Sequence, residues 1–329
     1  MNDLAVGFAI ATVLVFLLTV LAEHILIPIL RSHKLGQRIL DIGPRWHKSK
    51  EGTPIMGGIG FILAAMIVMA GFFIIAAIKG EASEYIGLSL TLAFAVANGA
   101  IGFVDDYCKL VKKQNEGLTR MQKLVLQIAV TVGYVCIMIH TGNLSSGIQI
   151  SFTDWYIDGV LWYAFAVVAL VGVVNGTNFT DGIDGLASSV SAVIGVFYAV
   201  VAFMAGNQSL SMVAAVLIGA TLGFLIYNFH PARVFMGDTG SLFLGALIVG
   251  SGFAFESPWV ALTVCGVFVF ELLSSALQIV YFKLTKGKRL FKMAPFHHHL
   301  EQCGWSENTV VAVFSAAEVL LCVLAYFVF

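Results

Sequence analysis

The sequence predicts an all-α integral membrane protein of about ten transmembrane helices, and three observations carry that prediction. Charged residues make up 11% of the chain and hydrophobic ones 59%, far from the roughly 25% charged of soluble domains. Ten apolar runs approach the ~20 residues that a bilayer core asks of a helix. They lie near 4–30, 55–78, 85–104, 124–140, 159–174, 186–204, 210–228, 241–256, 259–282 and 308–328. Finally, all but one of the 18 Lys and Arg residues fall in four gaps between those runs, Lys79 being the exception.

Taken in order, the first run opens Met1-Asn2-Asp3 without a basic flank and is too long for the apolar part of a signal peptide, so it should remain as a helix. The gap behind it carries Arg31, Lys34, Arg38, Arg45, Lys48 and Lys50. Short basic loops stay cytoplasmic, so this gap faces inward and an even number of spans leaves both termini outside. The third run ends at Asp105-Asp106-Tyr107, before Lys109, Lys112, Lys113, Arg120 and Lys123. The outer segment Thr141–Asp158 has a turn at Ser145-Ser146-Gly147 and then period-two alternation to Phe152, the mark of a small outer hairpin near 145–152. The runs at 159–174 and 241–256 are short. The ninth carries Glu271 near its middle, and Lys283, Lys286, Lys288, Arg289 and Lys292 follow in the gap before the tenth. With gaps this short, residues 1–329 read as one polytopic domain. The five cysteines are scattered, with no disulfide framework.

Chemistry-bearing residues gather in the inward gaps. Asp105 and Asp106 are neighbours on a helix end and point about 100° apart, so they should divide the work between base or ligand and positioning. In Asn175-Gly-Thr-Asn178-Phe-Thr-Asp181-Gly182-Ile-Asp184-Gly185 a polar residue recurs every third position. That spacing drifts by about 60° per step in an α-helix, so a loop or 3₁₀ turn is expected here. Glycines at 182 and 185 let backbone N–H groups approach a phosphate or base. Asp238, in Met236-Gly237-Asp238-Thr239-Gly240-Ser241, suits a Mg²⁺ ligand, since that ion takes one or two carboxylates plus phosphate oxygens. Phe235 offers a stacking face. Pro295-Phe296-His297-His298-His299-Leu300-Glu301 supplies imidazole donors for a diphosphate; consecutive side chains diverge too far to close a tetrahedral zinc site. The basic segment Trp46–Gly58, with Lys48 and Thr53-Pro54, leads into a glycine-rich helix start able to bind phosphate. So many carboxylates together require an offsetting cation or lysines, and phosphoryl transfer uses both.

On these motifs the chain resembles the polyprenyl-phosphate N-acetylhexosamine-1-phosphate transferase superfamily over nearly its whole length. The Asp-Asp-Tyr at 105–107, the Asn-x-x-Asn-x-x-Asp-Gly-x-Asp-Gly at 175–185 and the Met-Gly-Asp-Thr-Gly-Ser at 236–241 look like superfamily motifs. The Pro-Phe-His-His-His-Leu-Glu at 295–301 and the Thr-Pro-x-Met-Gly-Gly at 53–58 look specific to its muramoyl-pentapeptide branch. The resemblance implies a Mg²⁺-dependent enzyme of the bacterial inner membrane that makes lipid I and UMP from UDP-MurNAc-pentapeptide and undecaprenyl phosphate at the cytoplasmic face. It further implies a homodimer among membrane lipids, inhibition by uridine-type nucleoside antibiotics and no nucleic-acid partner. By position, Asp238 is the implied metal ligand, and Asp105, Asp106, Lys123 and His297 join it as catalytic residues. Lys48, Asp184, Asn228 and Phe235 are the implied uridine contacts. Asn175, Asn178, Asp181, Gly182 and Thr53 line the cleft, and His297, His298 and His299 face the sugar-phosphate. The alternatives are a UDP-GlcNAc transferase of the same superfamily and, in another class, a transporter. A transporter needs ionisable residues near the midplane, whereas the acidic motifs here sit at helix ends.

Overall fold

The computed structural model describes residues 2–32, 50, 52–111, 117–150, 153–255 and 257–328. Helix α1 spans Asn2–Ser32, α2 Gly58–Lys79, α3 Ile86–Val111 and α4 Arg120–His140. A hairpin of β1 (Gly147–Gln149) and β2 (Tyr156–Asp158) leads into α5 (Gly159–Thr180), α6 (Leu186–Ala205), α7 (Gln208–Asn228) and α8 (Gly237–Phe255). Then come α9 (Pro258–Val264), α10 (Gly266–Leu284), the short α11 (Phe296–Gln302) and α12 (Glu307–Val328). Among the described residues ten helices are long and apolar enough to cross a membrane, so the chain is an all-α, multi-pass membrane protein.

Four local expectations are corrected. Residues 175–180 are α-helical, not a loop or 3₁₀ turn. The backbone ladder continues to Asp181, whose N–H donates to the Thr177 carbonyl at 3.2 Å, and Gly176, Thr177 and Thr180 are buried against neighbouring helices. Tertiary packing thus satisfies polar residues that the sequence alone assigns to a turn. Helix α8 begins at Gly237, not 241, which puts Asp238 in its first turn. The ninth run breaks at Cys265 into α9 and α10; the second half starts under the carboxylate of Glu318, which accepts the Val267 N–H at 3.4 Å. The hairpin reaches further than 145–152, because Gly147–Gln149 pairs antiparallel with Tyr156–Asp158.

Helices α7 and α8 form the enclosed centre, with Phe61 of α2 set edge-on to Phe224 at 5.4 Å between ring centroids. Around them α1, α10 and α12 present outward rows of large apolar side chains, among them Leu17, Leu277 and Leu320, as helices facing lipid do. Close approach at the centre relies on small residues. A Cβ at Gly102 would run into the Asp238 carbonyl, so glycine there lets α3 lie directly on the start of α8. That contact brings Asp105 and Asp106 to Asp238.

Candidate active site

The end of the bundle where α2, α4, α6, α8 and α12 begin gathers the acidic motifs. Asp106 is buried on α3, and its carboxylate faces the N-terminus of α8. Its Oδ2 accepts the Thr239 N–H at 2.9 Å and the Thr239 hydroxyl at 2.7 Å, and its Oδ1 accepts the Asp238 N–H at 3.3 Å. These are donors that a helix leaves unpaired at its start. Asp105, a step round the same helix, accepts the Leu118 N–H at 2.7 Å, fixing the segment that leads into α4. The adjacent aspartates thus accept from different backbone N–H groups, yet both also face the Lys109 ammonium.

Helix α4 starts from a capping box in which the Thr119 hydroxyl accepts the Gln122 N–H and the Gln122 side chain accepts the Thr119 N–H. This sets the phase of Lys123, whose ammonium donates to Asp238 Oδ2 at 2.8 Å and to Asn178 Oδ1 at 3.3 Å. Asn178, in the last turns of α5, donates to Asp238 Oδ1 and to the Ser241 hydroxyl, both at 2.8 Å. Lys109 completes the cluster, lying 2.7 Å from Asp105 Oδ2, 3.0 Å from Asp238 Oδ2 and 3.7 Å from Asp106 Oδ1. Oxygens of Asp105, Asp106 and Asp238 come within 4.8 Å of one another, a spacing that three carboxylates sharing one hard cation require.

A second knot forms around Asp184, which is almost fully buried. Its Oδ1 accepts Lys50 at 2.7 Å, and its Oδ2 accepts the Ala232 N–H at 3.0 Å and lies 2.8 Å from His230 Nδ1. Glu307, first residue of α12, takes the same Lys50 ammonium at 2.6 Å and the Asp184 N–H at 3.0 Å. Asn228 is buried and spends its amide on the chain, accepting from Gly185 N and donating to the Val234 carbonyl. Phe235 is held through its backbone, N–H to Pro54 at 2.8 Å and carbonyl from Gly57 at 2.9 Å. Thr53, one residue before Pro54, donates its N–H to the Lys50 carbonyl at 3.1 Å.

The histidines divide three ways. His297 is buried; its Nδ1 lies 3.2 Å from Glu271 Oε2, and that carboxylate also accepts the N–H groups of Phe296 and His297. Glu271, deep in α10, is thus the N-terminal cap of α11. His298 lies 2.6 Å from Glu301. His299 accepts the Lys292 N–H at 3.1 Å and packs on Phe291 and Phe296. Between this helix and the aspartates runs the Asp181–Gly185 turn, with Gly182 against the His297 ring. The Asp181 side chain has no hydrogen-bond partner among the described residues. Burial, reinforced by Asp238, Asp106 and Asp184, holds its carboxyl well above the usual carboxylate range.

The structure therefore brings Asp105, Asp106, Asp238, Lys123 and Asn178 into one cluster and sets Asp181 beside it. Asp184, Asn228 and Phe235 are tied together through Gly185 and Val234, the first two buried, while Asn175 lies deeper on α5, bonded to Gln127 at 2.9 Å. Lys48 lies outside the described residues. Sequence reasoning missed Lys109, Lys50, His230 and Glu307 as site residues. Lys109 carried a signal, its i,i+3 and i,i+4 spacing from the two aspartates; Glu307 carried none, its partners being distant in sequence.

Such an arrangement, a carboxylate trio with two lysines at a helix N-terminus, is equipped to hold a cation and phosphate groups together. Comparison with known proteins agrees. Residues 88–255 match the family described as Glycosyl transferase family 4. The chain is 42% identical over 319 residues to the phospho-N-acetylmuramoyl-pentapeptide-transferase of Bacillus subtilis (strain 168), covering 95% of each chain. It is 44% identical to that of Staphylococcus carnosus (strain TM300), over 93% of this chain and 94% of the relative. For that of Clostridium acetobutylicum the identity is 41%, over 97% and 98%. The aspartate and lysine cluster and similarity along nearly the full length lead to one conclusion: the chain belongs to glycosyl transferase family 4, in its branch of phospho-N-acetylmuramoyl-pentapeptide-transferases.

Proposed function

We propose that this protein transfers phospho-MurNAc-pentapeptide from UDP-MurNAc-pentapeptide to undecaprenyl phosphate, releasing UMP and forming lipid I for peptidoglycan synthesis. The observation that carries this reading is the near full-length similarity to the named transferases. The Asp105, Asp106, Asp238, Lys109 and Lys123 centre supports it. The basic residues at this end of the bundle support a cytoplasmic placement of the site in the bacterial inner membrane.

The three carboxylates fit Mg²⁺ as a donor set, and Asp238 is the most open of them, with 18% of its side chain exposed. When bound, magnesium offsets charge on diphosphate oxygens. Lys109 and Lys123, both on Asp238 Oδ2, are poised to donate to the phosphate oxygens of an arriving anionic substrate. Asn178 keeps the Asp238 carboxylate oriented. Asp106 already accepts three hydrogen bonds from the start of α8, so its role is to aim that helix and the lipid phosphate beside it, which favours direct attack over a phospho-enzyme. The acceptor needs little help from a base, because the second pKa of a phosphomonoester is near 6. Phe235 offers the uridine a stacking face backed by the buried Asn228 and Asp184, with Lys48 expected to join it, and the 297–299 histidines flank the sugar-phosphate side.

The direct test incubates detergent-purified protein with undecaprenyl phosphate, Mg²⁺ and UDP-MurNAc-pentapeptide, and reads the lipid product by mass spectrometry. The proposal requires an undecaprenyl diphosphate carrying MurNAc-pentapeptide. A lipid fraction left unchanged while the protein stays folded would overturn it.

A further inference from the structure

We infer that Glu307 is a positioning residue for the nucleotide side of the site, an inference that rests on the proposed use of a uridine diphosphate substrate. One buried carboxylate at the start of α12 joins three segments that come together only in the folded chain. Its Oε2 accepts the Lys50 ammonium at 2.6 Å and the backbone N–H of Asp184 at 3.0 Å. Its Oε1 lies 3.8 Å from His230 Nδ1, in the loop between α7 and α8. The N–H bond acts on the backbone of the Asp181–Gly185 turn. The Lys50 bond acts on the strand of chain that continues through Thr53 and Pro54 to the backbone of Phe235. Glu307 thereby sets the separation between the stacking face of Phe235 and the turn that carries Asp181.

Asp184, His230 and Glu307 have oxygen and nitrogen atoms close enough to hold a cation, but the Lys50 ammonium lies between the two carboxylates at 2.7 and 2.6 Å. The knot is therefore an ion-pair network with a built-in cation. Both carboxylates are nearly inaccessible, whereas His230 leaves 41% of its side chain exposed. The substrate meets what the network holds in place, and Glu307 acts from behind.

Removing the Glu307 carboxylate leaves the Asp184 N–H without its acceptor and Lys50 with one partner, which loosens the turn without touching the Asp105, Asp106 and Asp238 centre. Glu307→Ala should raise KM for the UDP-substrate about tenfold, the effect of one hydrogen bond to a charged group. Values of kcat and of KM for undecaprenyl phosphate should stay within about threefold of the parent. Affinity for UMP, measured by calorimetry, should fall in parallel. Glu307→Gln, which can still accept from Asp184 N–H, should recover at least half of the lost affinity. Lys50→Met should give the same KM phenotype, and Lys50→Met with Glu307→Ala should be no worse than the poorer single variant, as for members of one network. Unchanged UMP affinity in folded Glu307→Ala would overturn the inference, as would a fall in kcat with both KM values rising together. If the parent protein itself bound no UMP, the underlying substrate reading would be at fault instead.

Discussion

Asp106 caps the helix that carries Asp238. Its carboxylate takes the Thr239 N–H and hydroxyl at 2.9 and 2.7 Å and the Asp238 N–H at 3.3 Å, so one acid of the motif at 105–107 holds another, 132 residues away, at the point of use. An interhelical carboxylate on a helix start recurs at Glu271 on α11 and at Glu318 on α10. Acids are costly in a membrane, and these three are placed on N–H groups that have no partner within their own helix.

Asp106→Asn keeps the volume but turns one acceptor into a donor facing N–H and O–H groups. We expect kcat to fall by about 10² or more, the cost of misplacing reacting groups by about 1 Å, with UMP affinity changing far less. Steady-state kinetics and calorimetry check this; an equal loss in both would make Asp106 a nucleotide-binding residue, and a trapped phospho-aspartate would rule out direct attack.

Asp238→Ala removes the carboxylate shared by Lys109, Lys123 and Asn178. UMP release should be abolished and excess Mg²⁺ should restore little, because two lysines would then face an empty metal position. A rate within about threefold of the parent would remove Asp238 from the ligand set, since losing one key electrostatic partner costs about 10² or more.

At Gly182 a methyl group would overlap the His297 ring, which is pinned by Glu271. Gly182→Ala should therefore displace the Asp181–Gly185 turn, costing about 1–3 kcal/mol of stability and more activity than Gly304→Ala, whose neighbourhood is open but whose backbone is strained. Thermal melting with UMP release on both variants is the measurement. Parent-like activity in Gly182→Ala would mean that the turn tolerates displacement.

Asp181 gives a pH signature. Its carboxyl is held above its ordinary value by burial first and then by Asp238, Asp106 and Asp184, so the native state holds this proton more tightly than the unfolded chain. Such a group is harmless below the unfolded pKa of about 3.9 and subtracts stability as pH rises from there through the native pKa. In EDTA, Asp181→Asn should melt above the parent at pH 8, and the difference should vanish near pH 4. A variant that melts below the parent at pH 8 would contradict this electrostatic picture.

Much of the molecule was legible in the sequence because lipid imposes simple rules. Spans follow from apolar length, and the motifs at 105, 178 and 238 stand at span ends, where Asp105, Asp106, Asn178, Lys123 and Asp238 do converge. What stayed hidden depends on packing between distant segments. The helical state of 175–180 was missed because polar spacing was read as a turn signal, whereas Asn175 finds Gln127 and Asn178 finds Asp238 from a helix. Glu307 and Lys50 gave no signal because their partners lie 123 to 257 residues away.

The central claim is that this site uses the muramoyl substrate, and initial rates of UMP release from two UDP-sugars test it most directly. With undecaprenyl phosphate and Mg²⁺ present, UDP-MurNAc-pentapeptide should turn over at least about a hundredfold faster than UDP-GlcNAc, a discrimination within reach of differential transition-state binding. Equal rates from the two would contradict the muramoyl assignment while leaving the chain in its glycosyl transferase family.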